Sequence, residues 1–219
     1  MASLPKNPSM TPISSAPNSI DFTRLDHSEV NEILTRLVVP RPIGWVLTGD
    51  GKGHLNLAPF SSVAPVCNDP PLLVFSAERS GQGVRKTTAN NILETQEFVM
   101  HLVDRTMLEK AIATALPGDS FPNKLLDAGV VTAPCKRIGL RRIVQCPTAF
   151  ECRLFRHISV GSDDSGADIF LGRIVAVWER IGVVADTVGA LEINAYLVGG
   201  ARVFVPNPND STIDPFVAL

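Results

Sequence analysis

The chain has 219 residues, a formal charge of −2 and 45% hydrophobic residues, enough for one domain with a sizeable core. So small a charge offers no general attraction to nucleic acid or an anionic membrane surface, and no run reaches the roughly 18 to 20 apolar residues of a membrane span. Seventeen prolines and sixteen glycines imply many turns, which favours a strand-rich fold over a helical bundle.

Residues 1–20 are rich in Pro, Ser and Asn and lack a cationic segment ahead of an apolar run. They read as a flexible tail and not as a secretory signal, so a soluble, cytoplasmic protein is expected. Asp26 with Glu29 forms a capping-box pattern, and Val30, Ile33, Leu34 and Leu37 recur behind it at helical spacing; Pro40 and Pro42 end that helix. Ile43–Thr48 and His54–Leu57, joined by glycine-rich residues 49–53, read as a hairpin. Leu72–Ser76 reads as a buried strand, 80–83 as a loop, Thr87 or Thr88 as a helix start, and Glu97–Val103 as a strand. Residues 105–115 look helical and 117–140 irregular. Two long strands follow, 149–160 and 169–181, with Phe150, Cys152 and Leu154 on one face of the first and Glu151 and Arg153 opposite. Glycines 161, 166, 172 and 182 suit bends in a curved sheet.

Strands in succession, with helices only as excursions, predict a mainly β fold: an antiparallel β-barrel over 21–205, followed by a C-terminal tail over 206–219. No G-x-G-x-x-G follows a strand, which argues against a Rossmann fold. Cys67, Cys135, Cys146 and Cys152 form no C-x-x-C pair, so no metal site is expected and the thiols read as reduced and mostly buried. No hydrolase motif is present, and His54, His101 and Trp45 read as structural.

Three segments could carry chemistry. Thr48 lies near Asn56-Leu-Ala-Pro-Phe-Ser-Ser62, where a strand ending at Pro59 would free backbone amides to stabilise negative charge on a bound group, or would simply be a strand-to-loop transition. Arg85-Lys-Thr-Thr88 places two cations and two hydroxyls at a helix start, which suits a phosphate monoester or a capped surface helix equally. Arg41, between two prolines, could clamp a phosphate or pair with a carboxylate.

The order of these segments is more specific than any one of them. Val39-Pro-Arg-Pro-Ile-Gly-Trp-Val-Leu-Thr48, Asn56 to Ser62, Asp69-Pro-Pro-Leu-Leu-Val-Phe-Ser76 and Lys86 to Val99 resemble the flavin reductase-like family with its FMN-binding split β-barrel. The resemblance continues through Phe121–Lys124, Ala128-Gly129, Phe150–Cys152, Gly172-Arg173 and Leu197–Arg202, covering about residues 25 to 205. It implies a homodimer with FMN in a groove at the subunit interface. By that resemblance Lys86 and Thr88 bind the phosphate, with Thr48 and Arg85 assisting. Asn56, Ala58, Pro59 and Ser61 line the flavin ring, Ser76 approaches the ribityl chain or phosphate, and Arg41 sits near the same pocket; no catalytic side chain is assigned. It also implies NADH or NADPH as co-substrate, with electrons passing to free flavin, a partner monooxygenase or oxygen. Two departures stand out: Thr87 replaces the family's usual aspartate, and the stretch 166–171 lacks the histidine common near the nicotinamide. The second keeps open a non-catalytic FMN electron carrier or redox sensor that does not use NAD(P)H directly.

Overall fold

Asp26 caps α1 (His27–Leu37) with the capping box the sequence predicts: its side chain accepts from the Glu29 amide, and Glu29 reaches back to the Asp26 amide. The computed structural model describes residues 19–115, 125–126, 128–162 and 165–179, together with the backbone of 196–197, 202–204 and 217–218. After β1 (Arg41–Pro42), β2 (Gly44–Gly49) and β3 (Leu55–Phe60) form the expected hairpin. Then come β4 (Ala64–Asn68), β5 (Pro71–Glu78), α2 (Thr87–Thr95), β6 (Glu97–Leu102), α3 (Leu108–Ala113), and the hairpin β7 (Thr132–Pro134) with β8 (Arg141–Ile143). Two long strands, β9 (Thr148–Gly161) and β10 (Gly166–Glu179), complete the main sheet.

That sheet has seven antiparallel strands in the order β3-β2-β6-β9-β10-β5-β4, so β3 and β4 are edges and the barrel is split, not closed. A second sheet joins β1 to β11 (Tyr196–Leu197), β12 (Arg202–Phe204) and β13 (Val217–Ala218). β10 is irregular against β9 at Leu171/Gly172. A Cβ on Gly172 would lie 2.3 Å from the Phe98 ring, so glycine is required there for close packing.

Every residue of β2 is buried because the sheet is covered on both faces. Inside, Val46, Phe75, Phe98, Met100 and Phe170 pack with Ala89 and Ile92 of α2. Outside, Trp45, Leu47 and Val99 pack with Met107, Leu108 and Ala111 around α3 and with Ile138 and Ile143 of the excursion. Trp45 is fully buried and donates from Nε1 to Thr114 Oγ1 at 2.8 Å.

His101 is structural, as expected. The Ile143 amide donates to its Nε2 at 2.9 Å, so the proton sits on Nδ1, which donates to the Trp45 carbonyl at 2.9 Å. Burial, with Arg142 nearby, pulls its pKa from 6.5 down to about 4. A depressed histidine pKa stabilises the fold fully above 6.5, and the contribution is lost as pH falls toward 4. At about 1.4 kcal/mol per pH unit the loss totals about 3 kcal/mol. Unfolding free energies from urea titrations at pH 7.5 and pH 4.5 should differ by nearly that much more in the native protein than in His101→Gln.

Several expectations need correction. The β3 ladder does not stop at Pro59: Pro59 pairs with Trp45 and Phe60 with Gly44, and an edge strand accommodates the proline. α3 spans only Leu108–Ala113, shorter than 105–115. β4 is not marked by the sequence, and residues 117–140, expected to be irregular, hold β7, which pairs with β8 just beyond them; residues 116–124 and 127 lie outside the described residues. Glu151 does not face solvent but is fully buried. The tail over 1–20 (save 19 and 20), the tail over 206–219 (save 217–218) and residues 181–182 also lie outside the described residues. Cys146 and Cys152 are buried and Cys67 and Cys135 half-buried. Burial pushes the Cys135 thiol up to about 12 and raises that of Cys152 as well.

Candidate functional site

A cleft of about 220 Å³ opens where the end of β3, the outer face of β5, α1 and the start of α2 meet. It is lined by Asn31, Arg41, Pro59, Phe60, Ser61, Ser62, Ser76, Glu78 and Lys86. Five of the ten residues singled out from sequence therefore converge on it: Arg41, Pro59, Ser61, Ser76 and Lys86. The wall is braced across β3 and β5, where the Ser62 hydroxyl donates to the Ser76 carbonyl and accepts from the Ser76 amide, both at 2.9 Å.

Two features suit the cleft to an anion. Lys86 occupies the N-cap of α2, where no side chain caps the first amides and no acidic residue stands in the first turn. Its ammonium lies 5.7 Å from the centre of the Phe60 ring. Arg41 is half-buried, and its Nε is buried with no hydrogen-bond partner among the described residues. Burial pulls the Arg41 pKa down while Glu78 opposes that shift. A buried guanidinium N–H without an acceptor is costly, and a phosphate oxygen would satisfy it.

Thr48, Asn56 and Thr88 are brought together, but beneath the cleft and not in its wall. All three are buried; Asn56 Nδ2 donates to Thr88 Oγ1 at 2.7 Å and to Thr48 Oγ1 at 3.4 Å. Asn91, one turn beyond Thr88, donates to Thr48 Oγ1 at 3.1 Å. This polar knot ties α2 to the β2–β3 hairpin and so sets where the helix begins. Ala58 is half-buried on β3. Arg85 turns away from the cleft and donates from Nε to Asp168 at 3.2 and 3.3 Å.

Sequence reasoning missed Asn31, Glu78 and Asn91. The signal for Asn91 was its spacing of three from Thr88, which puts both on one helix face. For Glu78 it was the even spacing from Ser76 along a strand. The stretch 166–171 lacks a histidine, yet β9 delivers His157 opposite Phe170, stacked on its ring at 5.1 Å with Nε2 2.7 Å from Asp168.

Among the described residues no cluster of three or more His, Cys, Asp or Glu could hold a metal ion, and no helix is long and apolar enough to cross a membrane. Residues 35–188 match the flavin reductase like domain family. An uncharacterised protein of Aquifex aeolicus is 36% identical over 138 residues, 62% of this chain and 69% of that one. Nitrilotriacetate monooxygenase component B from Bacillus cereus superposes with a TM-score of 0.80 at 25% identity, covering 90% of this chain and all of the other. The Streptomyces globisporus NADH:FAD oxidoreductase SgcE6, solved in complex with NAD and FAD fragments, shares the fold with a TM-score of 0.66 at 15% identity, covering 89% of this chain and 100% of that one.

Proposed function

The chain belongs to the flavin reductase like domain family, and on that footing we propose that it is an FMN-binding oxidoreductase that uses NADH or NADPH and hands electrons to free flavin, a partner monooxygenase or oxygen. The observation that carries this reading is the anion-ready cleft, in which Lys86, the uncapped start of α2 and the unpartnered Arg41 Nε surround one small volume. The residues present fit a phosphate monoester.

Lys86 and the first amides of α2 hold that phosphate, and Arg41 supplies a second cation whose desolvation strengthens the contact. Ser61 and Ser76 offer hydroxyls to the ribityl chain. Pro59 and the backbone from Ala58 to Ser61 would form the wall facing a flavin ring. Thr48, Asn56 and Thr88 act from behind, keeping the helix start in register with that wall. FMN held by Lys86, Arg41 and the start of α2 would supply the redox chemistry, accepting hydride from a nicotinamide and passing electrons on. The chain itself needs only to hold two rings in contact, which agrees with a cleft in which Glu78 is the one carboxylate among the lining residues.

At about 220 Å³ the cleft is smaller than the roughly 300 to 1,000 Å³ of a complete small-molecule site. A second copy of the chain completes it in this reading, making a cytoplasmic homodimer. Exposed Leu34, Leu37 and Val38, with Ile20 and Phe22 nearby in sequence, mark α1 as the face that copy covers, and Asn31 of the same helix lines the cleft. Light scattering should give twice the chain mass; a monomer would overturn the dimer.

The activity is tested by loading the purified protein with FMN and adding NADH or NADPH without oxygen. Rapid loss of the oxidised-flavin absorbance is expected. Bound flavin that stays yellow with both nucleotides, yet bleaches with dithionite, would replace the reductase reading with that of an electron carrier.

A further inference from the structure

We propose that Asp168 is a positioning residue for phosphate binding: by holding Arg85 on the barrel side of β5, it turns the next residue, Lys86, into the cleft. This inference rests on the reading of the cleft as the flavin-phosphate site.

Asp168 sits in β10 opposite Ala77 of β5 and is fully buried. The strand neighbours of Ala77, Ser76 and Glu78, line the cleft, so Asp168 faces away from it and does not touch a ligand there. Its carboxylate gathers three basic side chains. Oδ1 accepts from Arg79 Nη2 at 3.1 Å, Arg85 Nε at 3.2 Å and His157 Nε2 at 2.7 Å, while Oδ2 accepts from Arg79 Nε at 3.1 Å and Arg85 Nε at 3.3 Å. Arg79 also donates to Ser159 Oγ.

The loop from β5 to α2 begins and ends at this carboxylate. Its first amide, Arg79, donates to the Gly166 carbonyl at 2.8 Å, and Ser80 closes the loop on itself by donating to the Val84 carbonyl at 2.9 Å. Left-handed backbone at Gln82 and Gly83 makes the intervening turn. Arg85 and Lys86 are consecutive, so anchoring one guanidinium to β10 fixes the direction of the ammonium beside it. Without Asp168, Arg85 would lose its anchor on β10 and be released toward the same cleft mouth as Lys86.

The test measures FMN and riboflavin affinity for the native protein, Asp168→Asn, Arg85→Gln and the double variant. FMN binding should weaken about tenfold in each single variant, the size of one lost hydrogen bond to a charged group. Riboflavin, which lacks the phosphate, should bind unchanged. Because both residues act through one contact, the double variant should be no weaker than the singles, whereas independent effects would multiply to about 100-fold. Native-like FMN affinity in folded Asp168→Asn, equal losses for both ligands, or multiplying effects would each overturn the proposal. Should Asp168→Asn fail to fold, Arg85→Gln decides alone, unchanged FMN affinity again overturning it. A native protein that binds FMN no better than riboflavin would instead overturn the phosphate reading and this inference with it.

Discussion

Lys86→Ala is expected to weaken FMN binding by about 30- to 100-fold while leaving riboflavin affinity within about twofold, because one charge-assisted hydrogen bond carries about 2 to 3 kcal/mol. The cleft concentrates charge at the uncapped start of α2, where the helix dipole and the Lys86 ammonium act on the same few ångströms. The site is open, so the native preference for FMN over riboflavin should shrink as salt rises, and the variant should show a shallower salt dependence. Lys86→Arg keeps the charge and should retain most of the affinity. Losing the contact with the Phe60 ring costs the apoprotein only about 0.5 to 1 kcal/mol, so the variant should remain folded. Titration followed by flavin fluorescence separates the outcomes. An equal loss for both ligands would place Lys86 against the ring and not the phosphate, and no loss would move the phosphate out of this cleft.

Much of the fold was legible because local chemistry and tertiary packing agree along most of the chain. The capping box at Asp26, the glycine-rich turn between β2 and β3 and the apolar run of β5 each specify their element within a few residues. The failures share a physical cause, the covering of the sheet from both sides. Glu151 stands where strand alternation assigns a solvent-facing residue, yet the excursion after α3 packs over that face and turns the outside into a second interior. β4 was invisible because its residues are largely exposed and include Pro65, so neither apolar alternation nor propensity marked an edge strand that exists through pairing with β5.

At the site, the motif residues were legible as a group but not in their relation to one another. Chain order puts Arg85, Lys86 and Thr88 at one helix start. The structure sends Arg85 to Asp168, Lys86 to the cleft and Thr88 into a buried hydrogen-bond knot. Asp168 lies 83 residues beyond Arg85 in sequence and meets it only through the pairing of β10 with β5, while His157, 72 residues beyond Arg85, reaches the same carboxylate from β9. No local pattern announces such a contact.

Glu151→Ala should produce the largest loss of stability, about 3 kcal/mol, which for a chain of this length is about 6 to 12 °C in Tm. The carboxylate accepts from the amides of Lys136 and Arg137, both at 2.7 Å, and from Trp178 Nε1. Burial pulls its pKa up, but these donors outweigh burial and hold it below the ordinary 4.5. The glutamate therefore contributes stability that is present above 4.5 and lost as pH falls through its folded pKa, a step that should be missing from the acid denaturation of the variant. Alanine leaves these three donors without their acceptor. Glu97, which accepts from the Gly139 amide at 2.8 Å, His101, which accepts from Ile143, and Arg153, which donates from Nη2 to the Arg137 carbonyl at 3.0 Å, remain as further ties between barrel and excursion. The expected result is thus local: residues 128–146 become sensitive to limited proteolysis at temperatures where the barrel persists. The cleft lies at the end of β3 and on β5, away from this latch, so FMN affinity measured well below Tm should be unchanged. A variant that loses flavin binding in step with stability would mean that the excursion and the cleft unfold as one unit, and the two-sided covering of the sheet would then be a single cooperative core.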